Sequence, residues 1–281
     1  MKKILIVGGS GFIGKNIIET LSKSNKYNIL TTFCKTKNDQ ISKKNIRYLK
    51  FDFKTDKNFN KFEEFDPHYI FFLAWNKIPN FSKKVSHTNY ISTMKFFEKA
   101  KNFKSLKSIV YFGSCLEVLK SRLNYNNYHF VDAKLKLKKD LNNLFYHSSV
   151  NIVWLRLFYV YGPFQRLNSL IPSLIDSSIK KKKYDIKNPK LKNDFIHISD
   201  IINVLKIIIS SKNVFKVINL KTNSLVSVGE VSVRVKELFN NMKIKKKNLK
   251  FDQPSKYPIP ISKNRLYKIR ISLDKGIKSC F

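Results

Sequence analysis

Between Ile4 and Leu21 the chain reads Ile-Leu-Ile-Val-Gly-Gly-Ser-Gly-Phe-Ile-Gly-Lys-Asn-Ile-Ile-Glu-Thr-Leu, and few folds accommodate that order. Four apolar residues, Ile4 to Val7, predict a short buried strand, and Ile17, Ile18 and Leu21 mark the apolar face of a helix behind it. Glycines 8, 11 and 14 fall at the junction. Gly8 permits the tight turn, Gly11 lets backbone N–H groups come close to a pyrophosphate at the positive end of the helix, and Gly14 lets helix and strand pack closely. Strand, glycine turn and helix in this order predict a dinucleotide cradle formed by Gly8, Ser10, Gly11, Phe12, Ile13 and Gly14.

The rest of the chain supports an α/β fold. Short apolar segments near 28–33, 46–51, 69–73, 108–112 and 150–157 read as strands, and longer amphipathic stretches fall between them. The clearest helices are 88–101, with Ile91, Met94, Phe97 and Ala100 at helical spacing, and 131–146, with Leu137, Leu141, Leu144 and Phe145. This alternation predicts a Rossmann-type doubly wound parallel sheet over residues 1–165. Beyond Tyr161-Gly162-Pro163 the pattern loosens, which predicts a small C-terminal substrate-binding lobe over 166–281, interleaved with the main sheet and forming a ligand cleft against it.

Composition narrows the function classes. The chain has 281 residues and a formal charge of +36, ordinarily a sign of nucleic acid or an anionic membrane. Only seven of its 55 basic residues are Arg, and Ala occurs three times, so the lysine excess reads as compositional bias spread over a solvated surface. No base-stacking module or Arg-rich reading helix is visible, and no specific nucleic-acid partner is expected. Cys34, Cys115 and Cys280 share no paired or metal-ligand spacing, which argues against disulfides and a metal site and for a reducing compartment. No apolar run reaches membrane-spanning length, and the first strand begins too early for a signal peptide; a cytoplasmic protein with no membrane partner is the expectation.

Further segments give the chain a family likeness. The spacing Gly-x-x-Gly-x-x-Gly with Phe12-Ile13-Gly14, then Phe51-Asp52-Phe53, Leu73-Ala74-Trp75, Asn89, Tyr161-Gly162-Pro163 and Asp194-Phe195-Ile196-His197-Ile198-Ser199-Asp200 resemble, in order, the extended short-chain dehydrogenase/reductase family. Its members mostly rework nucleotide-linked sugars with NAD(P). The resemblance implies that Asp52 and Phe53 meet the adenine, that Leu73 and Ala74 flank the cofactor, and that Asn89, Arg166 and Arg265 lie near a nucleotide-sugar substrate. It also implies a homodimer built on the helices at 88–101 and 131–146. His197, a lone histidine in an apolar strand, is read as structural.

Cofactor choice is argued from the second strand. An acid at its end holds the ribose hydroxyls of NAD, whereas a 2′-phosphate needs positive charge. The strand ends Phe33-Cys34-Lys35-Thr36-Lys37 with no acid before Asp39, so Lys35 and Lys37 favour NADP over NAD.

Catalysis departs from the family pattern. The reaction centre that the resemblance implies is Tyr-x-x-x-Lys with an upstream Ser or Thr, the lysine holding the nicotinamide ribose and the phenol passing a proton. Lys134 suits the lysine position by its distance from Arg156 and Tyr-Gly-Pro, but Phe130 stands four residues before it. A phenyl ring has no ionisable proton. Three readings follow: Tyr125 or Tyr128 enters from a loop before the helix; another acid such as Glu117, or water, supplies the proton; or the protein is a non-catalytic NADP-binding or sensor protein. Ser114, with Cys115 as the neighbouring alternative, is placed to polarise a sugar carbonyl. The leading expectation is an NAD(P)-dependent epimerase, dehydratase or reductase acting by hydride transfer at a sugar carbon of a nucleotide sugar, in surface polysaccharide synthesis.

Overall fold

The computed structural model describes residues 1–34, 41, 43–53, 55, 58–119, 124–211, 214, 216–239 and 267–281. In chain order the elements are β1 (Lys2–Val7), α1 (Phe12–Leu21), β2 (Tyr27–Phe33), β3 (Ile46–Lys50), α2 (Asn60–Phe65), β4 (Tyr69–Phe72), α3 (Lys83–Ala100), β5 (Ser108–Ser114), α4 (Tyr125–Leu144) and β6 (Asn151–Leu157). There follow β7 (Tyr159–Tyr161), α5 (Leu170–Ile179), β8 (Lys192–Asn193), β9 (Phe195–His197), α6 (Ile198–Ser210), β10 (Val217–Leu220), β11 (Val226–Ser227), α7 (Val228–Phe239) and α8 (Leu273–Lys278). The backbone divides into two compact units: Met1–Leu157 with Ile209–Asn219, and Phe158–Ile208 with Leu220–Phe281.

The first unit is built on a seven-stranded sheet ordered β10-β6-β5-β4-β1-β2-β3. β1 pairs in parallel with β2 on one side and β4 on the other, Ile4 standing opposite both Ile29 and Tyr69. The winding therefore reverses between β1 and β4, and in sheets of this kind ligands bind outside the carboxyl ends of the strands at that reversal. Ile4, Leu5, Ile6 and all four residues of β4 are buried, as expected of strands covered on both faces. The edge strand β3 keeps only Ile46 buried.

Phenylalanine fills the helix–sheet interface of this alanine-poor chain. Phe72 packs on Phe96 and Phe97 of α3 with ring centres 5.1 and 5.0 Å apart, and Phe51 meets Phe62 edge-on at 4.7 Å. Beside them Tyr111 of β5 is stacked between Phe72 and Trp154. Both long helices start earlier than their apolar periodicity predicts. α4 gains a first turn because Asn124 and Asn127 cap each other reciprocally, the Asn124 side chain accepting from Asn127 N and the Asn127 side chain from Asn124 N. Tyr125 and Tyr128 consequently sit in that turn, largely exposed, rather than in a loop before the helix.

The second unit holds two short two-stranded pairs, β7 with β9 and β8 with β11, among α5, α6, α7 and α8. Its core gathers Tyr161, Leu174, Phe195, Val231, Val235 and Ile277. The segment from Asp194 to Asp200 anchors this unit from three positions. Asp194 accepts hydrogen bonds from Thr222 N, Thr222 Oγ1 and Asn223 N, and Asp200 accepts from Arg270 N and Ile271 N. His197 Nδ1 accepts from Ser199 N, so its proton lies on Nε2, 2.9 Å from Ser279 Oγ just beyond α8. Burial pushes His197 down to about 4, and it is neutral at physiological pH. No helix among the described residues is long and apolar enough to cross a membrane.

Candidate cofactor and reaction site

β1 ends in a turn that two threonines of β2 hold in place. Gly8 N donates to Thr32 Oγ1 at 2.9 Å, Gly9 N to the Thr32 carbonyl at 2.9 Å, and Thr31 Oγ1 donates to the Ile6 carbonyl. Gly8 has φ of +94°, and a Cβ there would lie 3.0 Å from Ala74 N, so the turn requires glycine. A Cβ on Gly14 would come within 2.6 Å of Gly9 Cα, which is the close helix–turn packing the sequence implied.

Gly11 differs. Its backbone is extended, and within 4 Å a Cβ would meet only Gly8 O, at an ordinary 3.4 Å. The protein's own packing does not demand glycine there, and the position borders the adjoining cleft. Gly11 is also the N-cap of α1 and makes no side-chain cap bond, so the first-turn amides and the positive end of the helix dipole are left for a ligand.

The cleft over this turn is lined by Gly8, Ser10 and Gly11, by Thr32 to Cys34 at the end of β2, by Phe51 to Phe53, and by Leu73 to Asn76 after β4. Asp52, Phe53, Leu73 and Ala74 thus lie together around the glycine turn. Lys35 and Lys37, on which the preference for NADP rests, lie outside the described residues, as does Arg265. Trp75 and Thr32 are wall residues to which the sequence assigned no role, Trp75 standing only as the end of Leu73-Ala74-Trp75. The polar Thr31-Thr32 pair between Leu30 and Phe33 was the available signal for Thr32.

Asn89 lies in the second turn of α3, not at its start, and is buried. Its Oδ1 accepts from Asn76 N at 2.7 Å, and its Nδ2 donates to the carbonyls of Asn76 and Val85. This amide, expected near a nucleotide-sugar substrate, is engaged with the loop after β4 and with its own helix.

The reaction centre expected at Ser114 and Lys134 lies at the carboxyl end of β5, the parallel neighbour of β4. Ser114 ends that strand and caps a single 3₁₀ turn, its Oγ accepting from Leu116 N and its own N–H donating to Glu117 Oε1. Glu117 Oε2 accepts from Trp154 Nε1 and Arg156 Nε, both at 2.9 Å. With three donors on a fully buried carboxylate, Glu117 is a structural acceptor and not the free acid the sequence left open. Cys115 is buried in the same turn.

Lys134 reaches inward from α4. It is 5% exposed, and its Nζ donates to Phe112 O at 2.9 Å and to the Tyr111 hydroxyl at 3.2 Å. The rings of Trp75, Tyr111 and Phe130 surround it at 4.1, 4.6 and 5.7 Å from their centres. Burial pushes the Lys134 ammonium down to about 7, against the pull of Glu117, and drives the Tyr111 phenol upward, so that phenol stays protonated. Phe130 completes the wall, edge-on to Trp75 and 4.5 Å from Phe81. In the second unit, Arg166 is exposed between β7 and α5.

These residues fit the pyrophosphate-bearing part of a dinucleotide through the uncapped helix, the Gly11 face and the cleft. The nicotinamide ribose would fall to Lys134, which Trp75 covers here.

Comparison with known proteins agrees with this geometry. Residues 4–220 match the model of the NAD dependent epimerase/dehydratase family. The chain is 26% identical over 273 residues to an ADP-L-glycero-D-manno-heptose-6-epimerase of Brachyspira hyodysenteriae, covering 86% of this chain and 82% of that protein. It is 25% identical over 270 residues to a dTDP-D-glucose 4,6-dehydratase of Dictyostelium discoideum, covering 84% of this chain and 62% of that protein. Among solved structures, UDP-glucose 4-epimerase of Thermotoga maritima with UDP-glucose superposes with a TM-score of 0.80 at 18% identity, over 99% of this chain and 97% of that one. The dTDP-glucose 4,6-dehydratase of Bacillus anthracis in complex with NAD gives 0.79 at 18% identity, over 100% and 95%. Glycine turn, doubly wound sheet and family match converge: the chain belongs to the NAD-dependent epimerase/dehydratase family, a family of enzymes.

Proposed function

We propose that this protein transforms a nucleotide-linked sugar by transient or net hydride transfer at a sugar carbon, with NADP favoured over NAD, in the cytoplasm and in the service of surface polysaccharide synthesis. The observation that carries the reading is the uncapped start of α1 at Gly11, which opens onto a cleft where the protein itself has no need of glycine. A nicotinamide bound there supplies the acceptor and donor of hydride. Ser114 holds the reacting oxygen by its hydroxyl, and Lys134 orients the nicotinamide ribose. Phe130 and Glu117 pass no proton, the first having none and the second being fully occupied, and water is the proposed donor in their place. Arg166 is proposed as a diphosphate contact, and a pair of protomers is proposed to meet through α3 and α4. The charge of +36 draws a doubly anionic substrate at low salt.

One observation favours a second reading. Phe130 and the covered Lys134 suit a protein that binds NADP and a nucleotide without turnover, as a sensor. NADPH binding followed by a turnover screen of UDP-, dTDP-, GDP- and ADP-sugars separates the two. Turnover of any sugar supports the enzyme; a wild type inert with all of them, together with an active Phe130→Tyr variant, supports the sensor.

A further inference from the structure

Trp75 belongs to two environments at once. Trp75 lines the cleft above the glycine turn, and its ring covers the Lys134 ammonium, which is absent from that lining. Lys134 has three N–H donors, of which two are committed to Phe112 O and the Tyr111 hydroxyl. The Trp75 ring face takes the place that an acceptor would fill for the third.

The resting position of Trp75 is also unfavourable in one respect. Its Nε1 is buried with no hydrogen-bond partner, and a buried N–H left unpaired costs stability. The backbone around it is fixed: Leu73 N donates to Val7 O, and Asn89 holds both the N–H and the carbonyl of Asn76. The freedom left is rotation of the side chain. Such rotation frees one donor of Lys134 and lets the indole N–H find a partner.

We propose that Trp75 is a gate on the nicotinamide-ribose end of the cofactor site, closed over Lys134 at rest and displaced when a complete coenzyme seats. This rests on the dinucleotide reading above and adds a residue that controls which part of the coenzyme gains from binding. Trp75 is a positioning residue in this scheme: it governs access to Lys134.

The test is calorimetric titration with NAD and NADP, each beside the matching analogue that lacks nicotinamide, ADP-ribose or its 2′-phosphate. In the wild type, opening the gate offsets what the nicotinamide end gains, so coenzyme and analogue bind within about threefold of each other. Trp75→Ala tightens the coenzyme by about tenfold and leaves the analogue unchanged. Trp75→Phe keeps a ring over Lys134, so it preserves the wild-type ratio and shows that the site tolerates substitution. Oxidised coenzyme changes the tryptophan emission of the wild type but not of Trp75→Phe, and the analogue changes neither. A Trp75→Ala variant that weakens the coenzyme, or that alters both ligands alike, overturns the gate and leaves the dinucleotide site standing. Failure of all four ligands to bind overturns the dinucleotide site and the gate with it.

Discussion

The Lys134 ammonium sits 4.1 Å from the centre of the Trp75 ring, held from behind by the Phe112 carbonyl at 2.9 Å. A lysine in this position carries a desolvation cost that the ring faces and two hydrogen bonds offset only in part.

That cost predicts how stability depends on pH. Lys134 titrates near 7 in the folded protein and at 10.5 unfolded, so as pH falls from 10.5 to 7 the unfolded chain takes up a proton that the native state resists. Lys134→Met removes the penalty, and Tyr111 keeps its hydrogen bond with Thr93. Urea melts should show the variant more stable by about 2 kcal/mol at pH 7, the difference shrinking as pH rises toward 10.5. A variant less stable than wild type at pH 7 contradicts this.

Glu117 should behave as a structural acceptor. Glu117→Gln turns an NH2 group toward donors from Ser114, Trp154 and Arg156 and leaves the Arg156 charge unpaired, for a loss of about 2–4 kcal/mol in a denaturant melt. Unchanged stability with lost turnover would instead return Glu117 to the list of proton donors.

Thr32 fixes the glycine turn from below. Thr32→Val leaves the Gly8 N–H without its acceptor and should cost about 1–2 kcal/mol while weakening coenzyme binding. Thr32→Ser keeps the hydroxyl and should restore both, as read by paired urea and coenzyme titrations.

His197 gives the second unit an acid-sensitive anchor. Its pKa falls from 6.5 to about 4 on folding, so the stability it contributes is complete above 6.5 and is lost as pH drops toward 4. Melting temperature should fall more steeply between pH 6.5 and 4 in the wild type than in His197→Phe. Parallel slopes would show that the ring does not resist protonation.

The sheet was legible because its signals are local. Ile4 to Val7, Tyr69 to Phe72 and Ile109 to Phe112 are continuous apolar runs of the kind that strands covered on both faces show, and glycines 8 and 14 carry steric demands that one sequence position can encode. Helix starts were less legible. The first turn of α4 depends on a reciprocal Asn124–Asn127 cap inside a segment that reads as loop, and α3 opens with Lys83-Lys84, which have no apolar periodicity. The reaction site was least legible, because its character comes from contacts between distant residues. Lys134 shows its charge in the sequence but not Trp75, 59 positions away, nor Tyr111 from β5. Asn89 matched a motif, yet its amide is committed to Asn76, a partner that no spacing announces.

Gly11 offers the most direct measurement of the account as a whole. Its φ of −76° and ψ of 168° suit any residue, and a Cβ there meets only Gly8 O, so Gly11→Val should fold with a melting temperature within about 3 °C of wild type. Calorimetry with NAD and NADP should give saturable one-to-one binding by the wild type and a loss of at least about 100-fold in the variant. A wild type that takes up neither coenzyme, or a Gly11→Val variant that binds as tightly as the wild type, would contradict the claim that the opening turn cradles a dinucleotide.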